Sequence, residues 1–143
     1  MVLVAKDILE KDFLSMPEDT TLFQAAQRMK TSRHGFVIVA NNDGKPVGIV
    51  TEWDIVSKLV AEGRDPKGVR LEELMTRDLV TVDPEDGIDK LSVFMATKGI
   101  RRVLVVDEGS VLGVITARTV LARLQDYVDM VSTQIARLHT PPG

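Results

Sequence analysis

Asp54 follows Thr51 by three residues in the run Gly48-Ile49-Val50-Thr51-Glu52-Trp53-Asp54. A carboxylate can accept hydrogen bonds from two vicinal hydroxyls at once, which is how an acidic residue reads a sugar in dinucleotide-binding folds. Thr51, placed to open a helix, sits where unpaired N–H groups and the helix dipole favour an anionic group. Gly48 carries no Cβ, so a backbone there can come close to a ligand. The same spacing has a second reading. Thr-x-x-Asp is also a capping box, in which the two side chains satisfy the orphan donors of a helix with no ligand at all.

These residues belong to a repeat. Gly-apolar-apolar-Thr recurs at Gly113-Val114-Ile115-Thr116, followed by Ala117-Arg118-Thr119, so the second copy carries Thr119 where the first carries Asp54. With Asp12 set on Asp78, Leu22 falls on Ile88, Met29 on Met95 and Val37-Ile38-Val39 on Val103-Leu104-Val105. One extra residue in the first hairpin then shifts the register before the Gly-apolar-apolar-Thr runs. Internal repetition of this kind sets the architecture.

Each half reads as β-α-β-β-α. A short apolar stretch (Phe13 to Met16; Leu79 to Val82) meets turn residues (Pro17 to Thr20; Asp83 to Asp86) and then an amphipathic segment with helical spacing at Leu22, Ala25, Ala26 and Met29. Phe36 to Ala40 and Val103 to Val106 are continuous β-branched runs, each followed by turn chemistry and a second strand. Thr51 and Thr116 open second helices, with Ile55, Val56, Leu59 and Val60 in one half and Val120, Leu121 and Leu124 in the other. A half this small buries too little surface to stand alone, so the two must pack together. The segment Glu62 to Gly68, with two glycines and a proline, is the linker.

This pattern, with G-φ-φ-T-x-x-D closing the third strand, resembles the CBS domain, found as tandem pairs called Bateman modules. The resemblance spans about Val4 to Leu124 and implies an α/β (α+β) fold: two β-α-β-β-α repeats packed as a pseudo-twofold disc, here with a C-terminal helix extension. Repeat 1 is expected at 1–65, repeat 2 at 66–126, and the extension with its tail at 127–143. In the family, the cleft between the paired sheets holds adenosine-containing ligands, usually AMP, ADP or ATP and sometimes S-adenosylmethionine or a dinucleotide. The motif's Asp accepts from the ribose hydroxyls and its Thr sits beside ribose and phosphate, roles that fall here on Asp54 and Thr51. The resemblance draws the rest of that site from the other repeat, at Thr76, Arg101 or Arg102, and Arg118.

Strand alternation predicts that only one of Arg101 and Arg102 enters the cleft, leaving the other as a surface charge. A cation at Arg118 works against the helix dipole, which favours a compensating anion there. The reciprocal site is expected to be degraded: Thr119 replaces the Asp, Glu10 stands where a Thr would serve, and Gly35 and Phe36 take the places of Arg101 and Arg102. One nucleotide site per chain follows. His34 reads as a strand-edge histidine, and Trp53 either stacks on a base or covers the helix start.

The chain is 44% hydrophobic but aromatic-poor, and its net charge of −3 gives no field for nucleic acid. With no Cys there are no disulfides, thiolate nucleophiles or Cys-based metal sites. Charge enters the N-terminus within six residues, which argues against a signal peptide or a membrane span. A cytoplasmic protein is expected. No catalytic or metal motif appears, and the histidines are only His34 and His139. Leu124, Val128, Val131, Ile135 and Leu138 form one helical stripe that ends at the tail Thr140 to Gly143. It packs on its own disc or, as preferred, contributes to a homodimer. The function expected is a stand-alone, non-enzymatic sensor of an adenine nucleotide that regulates another protein. The alternative is a dimerisation or interaction module with no physiological nucleotide.

Overall fold

The computed structural model describes residues 3–138, so His139 and the tail from Thr140 to Gly143 lie outside the described residues. Two three-stranded sheets are related by the repeat. The first joins β1 (Leu14–Pro17), β2 (Phe36–Ala40) and β3 (Pro46–Thr51), and the second joins β4 (Thr81–Val82), β5 (Arg102–Asp107) and β6 (Ser110–Thr116). In each, the first strand pairs in parallel with the second, which pairs antiparallel with the third. Ser15 stands opposite Ile38 as Thr81 stands opposite Leu104, and both hairpins slip register at the same place, Val39/Ala40 and Val105/Val106.

The helices follow in matching order. Short α1 (Ala5–Ile8) and α4 (Leu71–Leu74) precede the sheets, and α2 (Leu22–Ser32) and α5 (Ile88–Lys98) connect their parallel strands. After β3 comes α3 (Glu52–Asp54), which widens into a π-helix over Ile55–Val60. After β6 comes α6 (Ala117–Leu138), straight through 22 residues. The sequence anticipates neither α1 nor α4, each four residues long. It also expects one apolar face after Thr51, whereas the π-helix buries Leu59 and leaves Val56 and Val60 exposed. A π-helix bonds five residues apart, so the α-helical spacing of these residues no longer selects a single face.

The central strands are apolar on both faces because both are covered. Val37 and Val39 join the first half's core and Val103 and Val105 the second's, while Ile38 and Leu104 point between the sheets. There they meet Val114, flanked by Phe13, Phe36 and Leu79.

The halves also exchange their leading segments. Ala5 and Ile8 are buried in the second half's core, and Leu71, Leu74 and Met75 in the first's. The same backbone bonds secure both crossings: Ala5 N donates to Asp86 O and Ile88 N to Leu3 O, as Leu71 N donates to Thr20 O and Leu22 N to Val69 O. Each half therefore depends on residues that precede the other in the chain.

Candidate functional site

Thr51 ends β3 and caps α3. Its Oγ1 accepts from Asp54 N at 3.2 Å, while Asp54 Oδ2 accepts from Thr51 N at 2.9 Å and from Thr51 Oγ1 at 3.1 Å. The capping box is thus formed. A cap alone does not require burial, yet Asp54 is 7% exposed and is the one polar or charged residue in the buried class among the described residues. Its second oxygen, Oδ1, lies 3.2 Å from Lys58 Nζ, which also donates to the Leu74 carbonyl at 3.3 Å. In the second copy Thr116 caps Thr119 N at 3.1 Å and the two hydroxyls share a 2.9 Å bond, so the cap survives there without a carboxylate.

Beside Thr51 opens a cleft of about 430 Å³ between the halves, a size that suits a small ligand. Its first-half wall is Ile49 and Thr51. The opposite wall comes from the second half: Asp78, Leu79 and Val80 leading into β4, then Lys98 and Ile100, then Arg101 and Arg102. Apolar side chains, three cations and the Asp78 carboxylate share the lining.

Of the seven expected site residues, Thr51, Arg101 and Arg102 line this cleft together. Both arginines do so, against the expectation that strand alternation admits one. Arg101 lies just before β5, where the alternation has not yet begun, and its carbonyl accepts from Ala117 N at 2.9 Å. Asp54 stands behind Thr51 rather than on the cleft wall. Thr76 is at its edge, paired to Ile49 by two backbone bonds of 3.0 and 2.9 Å. Arg118 is exposed on the first turn of α6, beside the Ala117 that is tied to Arg101; its side chain has no hydrogen-bond or ion-pair partner among the described residues.

Gly48 is closely approached by protein. A Cβ there would sit 2.4 Å from Met75 Sδ, and one at Gly113 would sit 2.6 Å from Leu9 Cδ1 and 2.7 Å from the Glu10 carbonyl. Both glycines make room for the segments that cross between the halves. Trp53 is 71% exposed and is absent from the cleft wall. Lys98 and Asp78 were missed in the sequence. Lys98 ends a helix and Asp78 precedes a strand, positions where a solvated charge is the default reading.

The reciprocal position is arranged differently. The Phe36 ring lies under the Arg102 guanidinium, 5.0 Å from its centroid. Glu10 pairs with Val114 through both backbone bonds. His34 is held at the strand edge, with Nε2 3.0 Å from the Asp12 carbonyl and Nδ1 2.8 Å from Ser32 Oγ.

With this geometry in place, comparison with known families decides the kinship: the profile of the CBS domain matches residues 5–61 and 71–126. The chain belongs to the CBS domain family. Among curated relatives, the uncharacterized protein MK0525 of Methanopyrus kandleri is 29% identical over 80% of this chain. The homoserine O-acetyltransferase of Methanococcus vannielii is 31% identical over 82%. This chain spans 59% of the first and 24% of the second. Hypoxic response protein 1 of Mycobacterium tuberculosis is 29% identical over 86% of both chains. Among solved structures, a hexameric CBS-CP12 protein from bloom-forming cyanobacteria shares 35% identity at a TM-score of 0.77, covering 90% of this chain and 75% of that one. The CBS domain pair of protein MJ0100, in complex with 5′-methylthioadenosine and S-adenosyl-L-methionine, shares 28% at 0.75, covering 88% and 98%. The CBS pair fold, with its C-terminal helix, is therefore established. Among the described residues no helix is long and apolar enough to cross a membrane.

Proposed function

We propose that this CBS pair is a regulatory, non-catalytic module that binds an adenine nucleotide, AMP, ADP or ATP, at one site per chain. The observation that carries this reading is the buried Asp54 carboxylate behind Thr51, beside a cleft whose far wall presents Lys98, Arg101 and Arg102. Asp54 and Thr51 take the ribose, the apolar wall residues take the base, and the cations take the phosphates, with Arg118 joining from the first turn of α6. The adenosine compounds bound by the MJ0100 pair support the class of ligand. Three cations in and along the cleft favour an anionic member of that class over the sulfonium and neutral compounds seen there.

The module acts as a homodimer in the cytoplasm and reports nucleotide state to a partner protein. Support for the dimer comes from α6. Leu124, Val128, Ile135 and Leu138 are each at least 44% exposed and Val131 is half-buried, so most of the stripe is left uncovered by its own disc. Oligomerisation of the cyanobacterial relative points the same way.

A second reading is favoured by the completed capping box and this exposed stripe: an assembly module in which the motif serves as cap and packing only. A thermal-shift panel of AMP, ADP, ATP, S-adenosylmethionine and NADH separates the two, because a ligand that binds only the folded state stabilises it by mass action. The nucleotide reading predicts a shift with an adenine nucleotide that Asp54→Ala abolishes. No shift with any of the five would leave the assembly reading.

A further inference from the structure

Lys58 is the residue that the motif does not account for. It follows Asp54 by four positions, inside the π-helix, and reaches two places at once: Asp54 Oδ1 at 3.2 Å and the Leu74 carbonyl at 3.3 Å. Leu74 ends α4, two residues before Thr76, whose backbone is bonded on both sides to Ile49. One ammonium therefore joins the ribose carboxylate of the first half to the segment that leads into the second half's wall of the cleft.

The acceptor count at Asp54 gives this link a consequence. A carboxylate offers about four lone-pair directions. Oδ2 uses both of its own on Thr51 N and Oγ1, and Oδ1 gives one to Lys58. Two vicinal hydroxyls need two free directions, and one remains. The Thr51 bonds are made within a single helical turn and hold the cap. The Lys58 bond is the releasable one, since that side chain is 45% exposed and can turn to water.

We propose that Lys58 is a positioning residue that occupies the ribose acceptor in the unliganded chain, and that nucleotide binding displaces it from both Asp54 and Leu74. Ligand occupancy is thereby coupled to the strap between the repeats. The proposal rests on the nucleotide reading above and adds to it a regulatory contact.

Calorimetric titration of AMP, ADP and ATP into wild type, Lys58→Met and Lys58→Arg tests it, with folding checked by circular dichroism. Removing a cation by itself weakens the binding of an anion, so tighter binding to Lys58→Met can come only from the freed acceptor. The expected gain is about three- to tenfold, absent in Lys58→Arg and absent when Lys58→Met is made in an Asp54→Ala background. Should Lys58→Met lower the folded fraction, Lys58→Leu, which also lacks a donor, carries the same expectation. Wild type that binds while Lys58→Met or Lys58→Leu binds equally or more weakly overturns the displacement and leaves the nucleotide reading intact. Failure of every variant to bind any of the three overturns both.

Discussion

The Arg102 guanidinium lies over the Phe36 ring at 5.0 Å, and these two residues hold the same position in the two repeats. The duplication has diverged here into a complementary pair, one member cationic and facing the cleft, the other aromatic and beneath it. The pair also ties the hairpins together, since Phe36 is the strand partner of Thr51 and Arg102 that of Thr116. A double-mutant cycle of Phe36→Leu and Arg102→Met, followed by urea unfolding, should give a coupling of about 0.5–1 kcal/mol. Additive effects would mean that the stack contributes nothing.

The exchange of leading segments makes an unusual expectation about where a mutation is felt. Leu71 precedes the second half but is fully buried in the first half's core. Leu71→Ala should cost about 2–5 kcal/mol, and hydrogen exchange should show the lost protection in β1 to β3 rather than in β4 to β6. Protection lost chiefly in the second sheet would contradict the crossed packing.

Arg33 closes α2 at φ 61°, and its counterpart Gly99 closes α5 at φ 66°. The left-handed conformation costs an ordinary side chain energy that glycine avoids. Arg33→Gly should therefore raise stability by up to about 1 kcal/mol, read as a higher denaturation midpoint with unchanged slope. A lower midpoint would show that the Arg33 side chain stabilises the fold in a way its exposed position does not reveal.

For α6, placing a charge in the exposed stripe tests the dimer. Val128→Glu with Ile135→Glu, both at exposed positions, should convert a dimer to a monomer in light scattering while leaving the circular dichroism of the disc intact. A wild-type monomer at the same concentration would remove the dimer from the account.

How much of this was legible in the sequence follows from what each feature depends on. The paired sheets were readable because their strands carry local signals: β-branched runs, turn residues and a repeat that doubles every observation. The deeper registers were readable for the same reason, Ser15 and Thr81 occupying one position. The crossed segments were not, since α1 and α4 are single turns whose burial is set by the opposite half. The packing of Met75 against Gly48 was hidden for the same reason, as Met75 arrives from far along the chain. Strand alternation failed at Arg101 because the strand begins one residue later. Lys58 and Lys98 were invisible as site residues, because a lysine on a helix reads as a solvated charge until its neighbours are known.

The central claim is that the site belonging to Asp54, and not the one belonging to Thr119, binds the nucleotide. Calorimetric titration of AMP, ADP and ATP into wild type, Asp54→Ala and Thr119→Ala measures it directly. One site per chain is expected, with binding weakened at least about tenfold in Asp54→Ala, as for a lost charged acceptor, and near-wild-type affinity in Thr119→Ala. Full binding by Asp54→Ala together with its loss in Thr119→Ala would contradict it.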